Sequence, residues 1–180
     1  RQTYAFYTSG GTNNLSITPT SFTGTNDIIT LASIRGVAGY SKSSITANDS
    51  SGNPAFEIRT GQPSGENVYI GTNTARQAVN SFYDVMIGSG VGPKYVNGGA
   101  NTFIGYGTGA NVVNGTNQTL IGYRAGTSIS TGTSNTILGS NSGINVTTGG
   151  YNTILGASAG GWLGGNFSNL TAIGFYAGRD

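Results

Sequence analysis

Between Asn101 and Gly160 the chain writes one unit repeatedly: NTFIGYGTGANVVNGTN, QTLIGYRAGTSISTGTS, NTILGSNSGINVTTGGY and NTILGASAG. A Thr, two apolar residues and a Gly recur, and the landmarks Gly105, Gly122, Gly139 and Gly156 stand 17 residues apart. This regularity constrains the fold more than any other feature. A unit so short cannot bury a core alone and has to stack on its neighbours. Backwards, the landmark falls on Gly88 and Gly71, after Val85-Met86-Ile87 and Val68-Tyr69-Ile70. Forwards, it reappears at Gly174, after Thr171-Ala172-Ile173, one residue late, with the extra residue placed near Gly164-Gly165-Asn166. The expected array is seven coils over residues 67–180, the first two lacking the Thr.

The columns of the repeat carry the next inference. The pair before the landmark is Phe103-Ile104, Leu120-Ile121, Ile137-Leu138, Ile154-Leu155 and Ala172-Ile173. Adjacent residues of a strand point to opposite faces, so a pair that is apolar in every copy predicts a strand buried on both. The coil's own interior can cover one face; the other needs a partner surface. A second Gly recurs at Gly92, Gly109, Gly126, Gly143, Gly160 and Gly178, which suggests a turn with positive φ or a close backbone approach. A third apolar column follows at Tyr95, Val112, Ile129, Val146 and Leu163, and then a loop with Gly98-Gly99, Gly115, Gly132 and Gly149-Gly150. One unit therefore reads as strand, Gly turn, second short strand and Gly-rich loop. At about 4.8 Å per stacked strand, seven coils span roughly 30 Å.

Two readings compete for the column Thr102, Thr119, Thr136, Thr153 and Thr171, which often follows an Asn (Asn101, Asn135, Asn152). A flat Thr ladder can face ice. The alternative is a hydroxyl ladder satisfying turn and backbone groups, with Asn side chains stacked from coil to coil. The latter is favoured, since one Thr per coil makes a thin ice face and the apolar pair implies a largely buried strand.

Residues 1–61 show no such period. Short β-prone runs (Tyr4 to Thr8, Leu15 to Thr18, Ile28 to Ile34, Ser44 to Ala47, Phe56 to Arg59) are separated by Gly and Asn/Asp/Ser breakers, which predicts a small β-rich domain or shaft segment. Its aromatics Tyr4, Phe6, Tyr7, Phe22, Tyr40 and Phe56 could form a ligand surface but better suit core and interchain packing. Gln62-Pro63-Ser64-Gly65 marks a linker over 62–66. The chain opens on Arg1 with neither an initiator Met nor a signal pattern, so a processed product or a fragment of something longer is expected.

Composition narrows the function classes. Charged residues make up 8 %, against roughly a quarter in an average domain. The Lys and Arg residues are scattered from Arg1 to Arg179, whereas a nucleic-acid footprint needs them clustered. With no Cys and no His, disulfides, thiolate zinc sites and His-based catalysis are excluded. No run reaches the roughly 20 apolar residues of a membrane span. The acids are Asp27, Asp49, Glu57, Glu66, Asp84 and Asp180. A glycosidase-type carboxylate pair would have to come from a pairing such as Glu57 with Glu66, and each reads better as a solvated loop acid. Asp49, beside Asn48 and Asn53, could bind calcium but fits a loop closure. No catalytic residue, metal or cofactor is expected, and no enzyme activity.

The unit Gln118-Thr119-Leu120-Ile121-Gly122-Tyr123-Arg124-Ala125-Gly126 resembles the NT-x-IG-x-x-AG repeats of phage tail fibres and related virion appendages. It is also similar to the head repeats of trimeric autotransporter adhesins, whose period is shorter. The resemblance covers about residues 67 to 180. It implies an all-β fold of stacked repeats, a parallel β-roll or β-helix, built into an intertwined homotrimeric fibre. It also implies residence in a virion or at a cell surface, contact with other appendage components, and presentation of surfaces to a host glycan or protein. Candidate receptor contacts are the loop aromatics and their neighbours: Tyr106, Tyr123, Arg124, Tyr151, Trp162 and Tyr176. A secreted bacterial adhesin or filament subunit shares nearly every feature, and an ice-binding protein is a further alternative.

Overall fold

The computed structural model describes residues 44–48, 54–60, 66–162 and 165–178, all within the unit Lys42–Asp180. The expectations for residues 1–43, Asp49, Asn53 and Leu163 lie outside the described residues. Among the described residues there is no helix. A hairpin of β1 (Ser44–Asn48) and β2 (Pro54–Thr60) leads into stacked three-residue strands. These are β3 (Val68–Ile70), β5 (Val85–Ile87), β7 (Thr102–Ile104), β9 (Thr119–Ile121), β10 (Thr136–Leu138), β11 (Thr153–Leu155) and β12 (Thr171–Ile173). They pair in parallel, column on column: Thr102, Thr119, Thr136, Thr153 and Thr171 are register partners in turn. From β3 to β12 the described residues form a β-solenoid of about six turns, and the residue inserted near Gly165 is absorbed before β12 without disturbing the register.

A second, smaller sheet closes the far side of the first coils: β4 (Asn80–Phe82), β6 (Asn97–Gly99) and β8 (Asn114–Thr116), again parallel. It lies where the sequence suggests a Gly-rich loop, one step beyond the expected second strand. The reason is visible in its middle column, Ser81, Gly98 and Gly115, which faces the interior. A Cβ on Gly98 would stand 2.9 Å from the Tyr95 hydroxyl, and one on Gly115 would collide with the Gln118 amide. Long side chains from neighbouring positions already fill that space, so the strand carries no apolar signature.

The core is one filament of side chains down the solenoid axis. The first member of each apolar pair points inward: Met86, Phe103, Leu120, Ile137 and Ile154 are 0 % exposed. Tyr95, Val112, Ile129 and Val146 meet them from the other side and are equally buried, with Tyr95 edge-on to Phe103 at 6.4 Å. Each such side chain contributes roughly 1.5–3 kcal/mol by leaving water, but only with a coil above and below.

Corners are set by glycine. The landmark glycines hold φ between +122° and +139°, a region closed to side-chain-bearing residues. A Cβ at Gly122 would also collide with the carbonyl of Gly139 in the next coil. The second glycine column takes the left-handed turn as expected, with φ +57° at Gly109, Gly126 and Gly143.

At the N-terminal end β2 pairs antiparallel with β3, setting Ile58 opposite Ile70. Residues 54–60 therefore share one sheet with the array, and the linker expected at 62–66 lies outside the described residues but for Glu66. Glu57 adds an ion pair to Arg76 at 3.3 Å.

Candidate functional site

Three outer features of the solenoid could meet a partner, and an amide ladder holds them in place from inside. The ladder is Asn67, Asp84, Asn101, Gln118, Asn135 and Asn152, all buried. Side-chain oxygens of Asn67, Asp84, Asn101, Asn135 and Asn152 accept the backbone N–H of Asp84, Asn101, Gln118, Asn152 and Leu170, one coil on. The amide nitrogens of Asn67, Asn101, Asn135 and Asn152 donate across the coil to the carbonyls of Ser81, Gly115, Gly149 and Phe167. The expected Asn stacking is thus present. The Thr column does other work: it faces outward, while turn hydroxyls such as Thr108 donate to carbonyls, here Gly122 O at 2.7 Å.

The first feature is the outer face of the long sheet. It carries two columns in register, Val68-Val85-Thr102-Thr119-Thr136-Thr153-Thr171 and Ile70-Ile87-Ile104-Ile121-Leu138-Leu155-Ile173. Ile70 to Leu155 are half-buried by their own neighbours, and Ile173 at the last coil is 66 % exposed. The second member of each apolar pair therefore lies on a flat, uncharged strip that this chain leaves open.

The second feature is the corner after the landmark. Tyr106 and Tyr123 stack there with ring centroids 5.5 Å apart and planes 10° from parallel. Arg124 is exposed beside them. Tyr176 stands at the last coil, edge-on to Phe175 at 4.2 Å. Trp162 is 59 % exposed in the loop before β12. Of the expected contact residues the structure brings together Tyr106, Tyr123 and Arg124 and separates the rest.

Tyr151 belongs to the third feature, the turn that leads into each long-sheet strand. Tyr83, Ala100, Asn117, Ser134 and Tyr151 occupy one stacked column, all left-handed with φ between +53° and +60°. The N–H groups of Ala100, Asn117, Ser134 and Tyr151 donate to Phe82, Gly99, Thr116 and Thr133 one coil back. Beside this column, on the outer face of the small sheet, runs a shallow trough lined by Phe82, Tyr83, Gly98, Gly99 and Thr116 and continued by Asn97, Asn114, Thr131 and Thr133. Sequence reasoning missed Phe82 and Tyr83; aligning them at the 17-residue period with Tyr151 would have found the column.

Acidic chemistry is sparse. Glu57 is engaged by Arg76, Glu66 is exposed, and among the described residues no three His, Cys, Asp or Glu side chains gather as a metal site. Asp84 is buried in the ladder, and its burial raises the carboxyl pKa although Asn101 donates to Oδ1 and the phenols of Tyr95 and Tyr69 stand near, which favours the charged form. No helix among the described residues is long and apolar enough to cross a membrane. Comparison of the chain with protein-family models, curated proteins and solved structures found no match.

Proposed function

We propose that this chain is a structural segment of an extended appendage, a virion tail fibre or a similar surface fibre. In it, three parallel copies join along the outer face of the long sheet and present their remaining faces to a host glycan or protein. The observation that carries this reading is the in-register Thr/Ile strip, uncharged from Val68 to Ile173 and only half-covered within one chain. A strip of this length suits an obligate interface better than permanent exposure to water. Its regular register suits self-association, because each coil of one copy meets an equivalent coil of the next. Stiffness comes from the stacked glycine corners and the interior amide ladder, and multivalency would give weak receptor sites their avidity. The same fold serves a secreted adhesin or filament subunit. No catalytic step is assigned.

One observation favours a second reading. The Thr column shares the outward face with the Ile column, which is also how a flat ice-matching surface would be arranged. Mass by light scattering separates the two. A species of about three times 18.3 kDa supports the fibre. A monomer would sink the shared-face reading, and a monomer that inhibits ice recrystallisation would replace it.

A further inference from the structure

The face of β4, β6 and β8 lies across the coil from the strip assigned to self-association. Asn80, Asn97 and Asn114 form an exposed side-chain ladder on it, each amide donating to the next at 3.1 and 2.9 Å. The trough beside this ladder has a floor of Gly98, Gly99 and Gly115 backbone and a wall of Phe82 and Tyr83. No residue lining it carries a charge. Tyr83 and Tyr151 stand in the same turn column four coils apart, about 19 Å at the stacking repeat, and are 66 % and 67 % exposed. Both are held at φ +60°, where a bulky side chain costs on the order of 1 kcal/mol. The column elsewhere uses Ala, Asn or Ser. Both tyrosines are exposed and fill no core, as do Arg124 and Tyr176 at the left-handed turns of the other corner; what sets this pair apart is the uncharged trough beside the column.

We infer that this trough binds a neutral polysaccharide laid along the stacking axis, with Tyr83 stacking on a sugar ring in the lining and Tyr151, whose N–H donates to the lining residue Thr133, stacking on another beyond it. The apolar face of a pyranose packs on an aromatic ring, and its hydroxyls exchange hydrogen bonds with amides and hydroxyls such as those of Asn97, Asn114, Thr116 and Thr133. A repeating ligand suits a repeating surface, because each coil offers the same groups about 4.8 Å further on. An anionic polymer would find no cation in the lining. The assignment rests on the appendage reading and gives its glycan option a place and a chemistry.

The test is a glycan array followed by titration of the full chain with neutral oligosaccharides (glucan, mannan, galactan and N-acetylglucosamine series) and with alginate as the anionic control. Tyr83→Asn and Tyr151→Asn suit the left-handed turn, so each should fold at least as stably as the wild type. Each should weaken neutral-oligosaccharide binding about tenfold or more, while Glu66→Gln, at an exposed position outside the lining, leaves it unchanged. Binding of alginate alone, neutral binding indifferent to both tyrosines, or capture of a protein receptor with no oligosaccharide bound would each overturn the assignment. Light scattering of the same samples reports on the fibre separately, since the trough is complete within one chain.

Discussion

Within the interior amide ladder, Asp84 is the side chain that cannot donate when ionised. Its Oδ1 accepts from both the backbone and the side chain of Asn101 at 3.0 Å, but Oδ2 is buried without a hydrogen-bond partner. By the repeat, Oδ2 takes the place of the amide nitrogen that in Asn67, Asn101, Asn135 and Asn152 donates to a carbonyl 14 or 15 residues on. A proton on Oδ2 restores that donor, so the folded chain holds it more tightly than the unfolded one. Burial holds the folded pKa above the ordinary aspartate value of 3.8. Hence the folded state binds more protons between the two values, and the stability from this group is full below pH 3.8 and lost as pH rises through the folded pKa. Tyr95, whose phenol is pushed up by burial and by Asp84, stays protonated throughout and cannot offset the trend. Asp84→Asn should therefore stabilise the chain at neutral pH by about 1–3 kcal/mol and flatten its acid-side dependence. Thermal melts of both proteins from pH 3 to 8 check this, and a variant that keeps the wild-type slope would place the titration elsewhere.

One coil is a strand, a glycine corner, a turn and a return strand, and its weakest tolerance is at the corner. Gly122→Ala puts a side chain at φ +138° against the carbonyl of Gly139, and should cost more than about 3 kcal/mol because strain and collision add. Gly107→Ala also meets positive φ, but the nearest atom is the Arg124 side chain at 3.6 Å, so it should cost only about 1 kcal/mol. Urea melts of the pair measure the difference, and equal losses would show that the stacked carbonyls yield easily. These corners and the inward column were legible because Gly and the apolar pair recur at fixed positions, and periodicity survives without tertiary information. The small sheet was not legible. Its inward positions are Ser81, Gly98 and Gly115, chosen for the Tyr95 and Gln118 side chains that occupy their space, and nothing local records that. The pairing of β2 with β3 escaped for a similar reason, since an antiparallel hairpin carries no 17-residue period. At the candidate site, Tyr106 and Tyr123 were visible as aromatics at one column position. The Tyr83–Tyr151 column spans coils whose intervening residues are small or polar, so no local pattern joined them.

In the whole molecule, the stability of the coil and the proposed assembly draw on the same feature, namely side chains repeated at every coil. Covering the half-exposed Ile and Leu column yields roughly 1 kcal/mol for each side chain, against an association cost of about 4–15 kcal/mol. A few coils would not assemble, whereas the full run from Ile70 to Ile173 in each chain brings the gain into the range of the two association steps that the proposed trimer needs. A charge in the middle of that column tests the argument without touching the core. Ile121 points outward and is half-buried, whereas its neighbour Leu120 is 0 % exposed. In the assembly, Ile121→Asp would leave a carboxylate stripped of water on each chain, at several kcal/mol apiece; in the monomer the same carboxylate stays hydrated. The variant should therefore shift the mass to that of one chain while its β-type circular dichroism persists. Leu120→Asp should abolish both signals, because it breaks the filament inside the coil. If the wild type is a trimer and Ile121→Asp sediments like it, the outer strip is not the seam of the proposed assembly.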